Sequence, residues 1–198
     1  MDLLNDLLNA RCSDPFGCLG LLPSKSGKGL TLTVWQPGAE SVTVIGLNND
    51  KSLGQMTKIE EAGLFQITWP RRVKHFFYRI KVTFADHQLI RLDPYQFSEA
   101  TFTDLEHHTA CLYKNQGANP VSVPISKGLT IDGTRFVVYA PAARSVSVVG
   151  DMNAWDGRAH PMSSNGDGLW RLFIPDVGSG HQYKYEIRAA NGEILPHR

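Results

Sequence analysis

The residues best suited to chemistry lie in one short run, Gly150-Asp151-Met152-Asn153-Ala154-Trp155-Asp156-Gly157. A strand pattern ends at Gly150, and turn-forming residues then carry a large aromatic ring. A core tryptophan normally sits in the inward register of a strand, not after several turn formers. An exposed indole can lie flat on the apolar face of a pyranose, where ring C–H groups meet the π cloud. The competing reading is that Trp155 plugs the open end of a sandwich. Lys184 stands between Tyr183 and Tyr185, so if the tyrosines face a core it faces out and can donate to sugar hydroxyls; an ordinary solvated strand lysine is the alternative. Asn153 is a third candidate donor.

The other polar candidates form no constellation. Glycoside chemistry needs two carboxyl groups held across the scissile bond. Asp151, Asp156, Asp167 and Glu186 are near the right region, but turn geometry accounts for the aspartates. His107 and His108 are adjacent and would face opposite sides of a strand, and the remaining histidines are scattered. Nucleophile elbow, dinucleotide fingerprint and zinc spacing are all missing from the sequence. No catalytic residue, metal site or cofactor is expected.

These residues must be positioned by strands, because the period changes from helical to two early in the chain. Leu3, Leu4, Leu7 and Leu8 make one helical stripe, and Ser13-Asp14-Pro15 offers a cap, so residues 1–22 read as a helical lead-in. Alternation then marks strands at 30–34, 42–44, 65–69 and 76–82, with Pro37-Gly38 as a turn. Residues 93–123 carry no clean period and hold Asp93-Pro94, Asn119-Pro120 and Val123-Pro124, which suggests a connector, with the linker between domains at 106–128. Further strands fall near 135–140, 145–150, 169–174 and 183–189. Short strands with closely spaced turn signals indicate β-sandwiches.

The sequence also repeats itself. Residues 34–46 (VWQPGAESVTVIG) return as 138–150 (VYAPAARSVSVVG), an offset of 104; Gly63-Leu64-Phe65 returns as Gly168-Leu169-Trp170, an offset of 105. Phe76-Phe77-Tyr78-Arg79-Ile80 against Tyr183-Lys184-Tyr185-Glu186-Ile187 gives 107. Three blocks in one order indicate two copies of one domain. The expected architecture is all-β: two tandem immunoglobulin-like β-sandwiches, at 23–105 and 129–198, after the lead-in. The second copy reaches Ile194-Leu195-Pro196 and the chain stops, which suggests the front of a longer protein.

A net charge of +1 gives no case for nucleic acid or anionic membrane. No apolar run approaches the ~18 residues of a membrane span, and the acidic N-terminus is unlike a signal peptide. Three cysteines without metal-type spacing fit a reducing cytoplasm.

On these residues the chain resembles the N-terminal portion of a bacterial 1,4-α-glucan (glycogen) branching enzyme. The resemblance rests on Arg135–Pro141, on Val146 through Trp155-Asp156-Gly157-Arg158-Ala159-His160-Pro161-Met162, on Gly168–Pro175 and on Tyr183–Ile187. The runs Asp14–Gly20, Asp93-Pro94-Tyr95-Gln96-Phe97 and Leu112–Pro120 match less strictly. The connector is shorter than usual, and Asn119 stands where the family has His. The resemblance implies an extra β-sandwich, then a carbohydrate-binding module of family 48, then a (β/α)₈ barrel holding the catalytic acids. Such a barrel takes roughly 250 residues, so these 198 residues are expected to be catalytically silent. It also implies that Trp155 and Lys184 touch α-glucan (glycogen or maltooligosaccharides), and that the downstream barrel is a partner. A second stacking Trp of related modules would fall near Ile194. Two other readings stay open: a structural buttress that touches no sugar, and the equivalent region of a debranching or trehalose-forming relative.

Overall fold

The computed structural model describes residues 3–98, 101–102, 116–126 and 128–195. Four antiparallel sheets among them form two β-sandwiches. The chain divides into two compact units, Cys18–Gln96 and a second made of Met1–Gly17 together with Phe97–Arg198.

In the first unit one sheet has the order β1 (Gly20–Pro23), β2 (Leu30–Trp35), β6 (Leu64–Trp69), β5 (Thr57–Glu60). The other runs β4 (Ser52–Gln55), β3 (Ser41–Gly46), β7 (Tyr78–Thr83), β8 (Gln88–Leu92). Alternation places Leu30, Leu32, Val34, Val42, Val44, Tyr78, Ile80 and Val82 in one buried cluster with Phe65. Burying a side chain of this size stabilises by about 1.5–3 kcal/mol. The unit closes at Asp93-Pro94-Tyr95-Gln96. The Asp93 carboxylate accepts from the Tyr78 hydroxyl at 2.6 Å and from the Tyr95 N–H at 3.1 Å. Gln96 accepts from the Tyr78 N–H and donates to its carbonyl, both at 3.2 Å, extending β7 as a strand would.

In the second unit β12 (Ser163–Ser164), β13 (Leu169–Pro175), β10 (Leu129–Tyr139) and β9 (Gly117–Ser126) form one sheet, and β11 (Ala143–Gly150) with β14 (Tyr183–Ala189) forms the other. The segment 160–162 lies along the free edge of β11, where Val148 N donates to His160 O at 3.0 Å and Met162 N to Val146 O at 2.8 Å. Val146, Val148, Phe136 and Met162 are fully enclosed.

Two expectations change here. The lead-in is helical only over α1 (Leu3–Leu8) and a 3-10 turn at Pro15–Gly17, because Gly20-Leu21-Leu22-Pro23 is an edge strand of the first sandwich. The expected linker 106–128 overlaps β9: residues 117–126 pair with β10, and Pro120 and Pro124 are tolerated because β9 is an edge. The remainder of that linker, with His107, His108 and Cys111, lies outside the described residues. Helix α1 packs within the second unit. Leu7 is fully buried, Ser145 Oγ donates to Ala10 O at 3.1 Å, and Arg144 lies 3.7 Å from Asp6. Phe97 and Phe102 pack edge-on and tilted against Phe173 in the same unit. Among the described residues no helix is long and apolar enough to cross a membrane.

Candidate functional site

The loop after β11 is fixed by one amide. Asn153 Oδ1 accepts from Gly150 N at 2.9 Å, and Nδ2 donates to Val148 O at 2.8 Å, which settles the orientation of the amide. Its second N–H faces His160 Nδ1 at 3.0 Å, so that ring nitrogen is the acceptor and His160 is held as the Nε2–H tautomer. The loop is thereby tied to the end of β11 and to the segment that returns along it. Both N–H groups of Asn153 are spent within the protein, so the expected donation to a sugar is replaced by a positioning role.

Immediately beyond, Ala154 (φ 52°) and Trp155 (φ 62°) are both left-handed. Non-glycine residues rarely adopt that region, and two in succession persist only where the surroundings over-determine them. Trp155 N donates to Gly150 O at 3.0 Å, closing the turn. The indole is 43% exposed, whereas Trp35 and Trp170 are buried and Trp69 is half-buried. The polypeptide thus holds this one ring outward on a strained but well-tethered backbone.

Lys184 is opposite Val149, one pair from the Gly150–Tyr183 pair that carries the loop. Its side chain is exposed while Tyr185 is buried, so it takes the outer face as the alternation requires. The loop passes over this same outer face: Gly157 has no room for a Cβ because the Glu186 carboxylate, two residues along β14 from Lys184, lies against it. Gly157, two residues after Trp155, thus permits a close crossing over the face that carries Glu186 and Lys184.

Each nearby carboxylate is committed to a local partner. Asp151 accepts from Gln182 N at 2.9 Å, Asp156 takes a two-pronged contact from Arg158 at 3.0 and 2.7 Å, Asp167 pairs with Arg171 at 2.6 Å, and Glu186 pairs with Arg188 at 2.9 Å. Burial pushes the Asp156 carboxyl up, but the Arg158 hydrogen bonds outweigh it and leave the group below its ordinary value. The Arg171 hydrogen bond likewise lowers Asp167. Neither is raised toward neutrality as a general acid requires. No metal-type cluster of His, Cys, Asp or Glu occurs among the described residues. The arrangement can stack a ring and donate from an ammonium group, and its four carboxylates are each engaged by a local partner. The sequence pattern left Asn153 as a contact residue and did not separate out His160 or Gly157; the run Asp156-Gly157-Arg158-Ala159-His160-Pro161-Met162 was the signal that they hold the loop.

Two β-sandwiches in tandem, the second bearing an outward aromatic loop, make up the described chain, and the comparisons give each a family. Residues 117–197 match the family of carbohydrate-binding module 48 (isoamylase N-terminal domain), and residues 1–95 match the N-terminal domain of alpha-1,4-glucan branching enzyme GlgB. The chain belongs to the GlgB branching-enzyme family, as its N-terminal region. It is 36% identical to 1,4-alpha-glucan branching enzyme GlgB of Pseudoalteromonas atlantica, covering 100% of this chain and 27% of that protein. Against the same enzyme of Photobacterium profundum it is 39% identical, over 97% of this chain and 26% of the relative. The chain thus spans about a quarter of the length of the curated relatives it matches. A solved pullulanase from Bacillus acidopullulyticus overlaps 39% of this chain and 10% of its own at 25% identity, with a TM-score of 0.32; at that score the likeness carries no functional weight.

Proposed function

We propose that the second sandwich binds α-glucan, with Trp155 stacked on a glucose ring and Lys184 donating to its hydroxyls. On this reading the chain positions glycogen or maltooligosaccharide for a catalytic barrel elsewhere in the full-length cytoplasmic protein, which transfers an α-1,4-glucan segment into an α-1,6 branch. The observation that carries it is the 43% exposed indole on a left-handed backbone pinned by Asn153. A residue that only plugged the sandwich would have no reason to be held outward at a conformational cost of about 1–3 kcal/mol.

One open platform supports weak binding, on the order of millimolar to tens of micromolar. That suffices where a long glucan engages several sites at once. Affinity electrophoresis through glycogen tests it: wild type is retarded, Trp155→Ala migrates as in a glycogen-free gel, and Lys184→Ala is intermediate. If wild type itself runs unretarded, the module is a buttress; if Trp155→Ala is retarded as much as wild type, the site lies elsewhere.

A further inference from the structure

The first sandwich has a strongly basic end that the glucan reading leaves unused. Three connections meet there: the β1–β2 hairpin, the β3–β4 loop and the segment from Pro70 to Phe77 that leads into β7. The hairpin is drawn against the last of these, because Gly29 (φ 83°) has no room for a Cβ beside Trp69 O and Pro70. They carry Lys25, Lys28, Lys51, Arg71, Arg72 and Lys74, all exposed. The one acid in these loops, Asp50, is taken up by Arg79. The module's exposed acids Glu40, Glu60, Glu61 and Asp86 belong to turns at its opposite end. A chain of net charge +1 therefore concentrates its positive potential on one set of loops.

Within that field Arg72 is braced. Its guanidinium lies 4.6 Å from the Phe76 ring centroid and 5.7 Å from that of Trp69, and the Arg72 backbone N–H donates to Trp69 O at 3.2 Å. Trp69 is itself anchored, donating from Nε1 to Leu53 O at 3.1 Å. Contact with two aromatic rings restricts where the guanidinium can go while the residue stays exposed, so less freedom is lost when an oxyanion binds.

We propose that this end of the first sandwich is a binding site for a phosphate monoester. Arg72 grips two phosphoryl oxygens with its planar fork, and Arg71, Lys74 and Lys28 supply point charges around it. A carboxylate would be satisfied by the fork alone; a compact dianion with three terminal oxygens uses the surrounding cations as well. The ester is either a free sugar phosphate or a phosphate carried on a glucan chain, and the second source rests on the glucan reading of the other sandwich.

The test is a titration of the 198-residue chain, followed by amide chemical shifts and calorimetry, with inorganic phosphate, glucose 6-phosphate, maltoheptaose and phosphorylated maltoheptaose. The phosphorylated ligands are expected to shift amides of residues 24–29 and 70–77 saturably, and to bind several-fold more weakly as salt rises from about 50 to 300 mM. Arg72→Gln should weaken them about tenfold. The double variant Arg71→Gln/Lys74→Gln, on an exposed loop where folding is not at stake, should weaken them several-fold. Trp155→Ala should leave glucose 6-phosphate binding unchanged, so this site and the glucan site fail separately. Glucose 6-phosphate binding as tightly as phosphorylated maltoheptaose identifies the free ester as the ligand; phosphorylated maltoheptaose binding more tightly identifies the chain-borne one. Equal response to neutral and phosphorylated maltoheptaose, or binding untouched by both the Arg72 and the Arg71/Lys74 changes, overturns the proposal.

Discussion

Asn153 does more for the candidate site than its position beside the aromatic suggests. Its three hydrogen bonds satisfy Gly150 N and Val148 O at the end of β11 and orient His160. Removing them leaves partly buried backbone groups unpaired, a loss of about 1–3 kcal/mol. Asn153→Ala should lower the unfolding free energy of the second unit by that amount in denaturant titrations. It should also reduce glycogen retardation although Trp155 remains, because the ring is no longer held outward. A variant that lost stability while keeping full retardation would show that the loop presents the indole without help. At this scale the sequence was half legible. Turn formers around an aromatic left an exposed ring and a plug as the two readings, and alternation predicted the outward lysine. What one amide was hydrogen-bonded to depended on His160, seven residues away on a returning segment, which no local pattern encodes.

At the scale of elements, helix α1 is informative because it is too short to be stable by itself; isolated helices need roughly 12–15 residues. Its six residues persist because Leu7 is enclosed and Ala10 and Asp6 are tied to β11. Leu7→Ala should therefore cost about 2–5 kcal/mol, and the loss should fall on the second unit alone, read by melting that unit's transition while the first unit's stays in place. The strands themselves were mostly legible from period two. The exceptions are physical. Pro120 and Pro124 disguised β9, since proline suits an edge strand as well as a linker. The repeat also misaligned its third block: pairing Gly46↔Tyr78 with Gly150↔Tyr183 gives an offset of 105 rather than 107. A slip of two residues keeps every side chain on its own face, so apolar matching cannot detect it. In the corrected register Lys184 corresponds to Arg79 and Trp155 to Lys51. The first sandwich thus has no aromatic at the equivalent loop position, and its cation is paired with Asp50.

For the molecule as a whole, two separate cores mean two cooperative units, and acid should distinguish them. Burial raises the Asp93 carboxyl from 3.8 to about 6 against the opposing hydrogen bonds of Tyr78 and Tyr95 and the charge of Arg91. The folded first unit thus favours the protonated form. This contribution is fully present below about pH 4 and is lost as pH rises through about 6, an effect on the order of 3 kcal/mol. Asp93→Asn should raise the first unit's denaturant midpoint at pH 7, change it little at pH 4, and leave the second unit's midpoint unmoved at both. An unchanged pH profile in the variant would mean that the carboxyl titrates elsewhere. The division into two sandwiches was readable from the repeat, but the assignment of residues 1–17 to the second was not, because no local pattern encodes a contact with a strand more than a hundred residues away.

That assignment has a consequence for how the protein is made. Ala10 and Ser145 are 135 positions apart. At synthesis rates of about 5–20 residues per second, the leading segment waits roughly seven to thirty seconds for its docking surface. The first sandwich can mature on the ribosome during that interval with an apolar leucine stripe still unclaimed ahead of it. A bulky tag fused before Met1 would burden the second sandwich rather than the one it physically precedes.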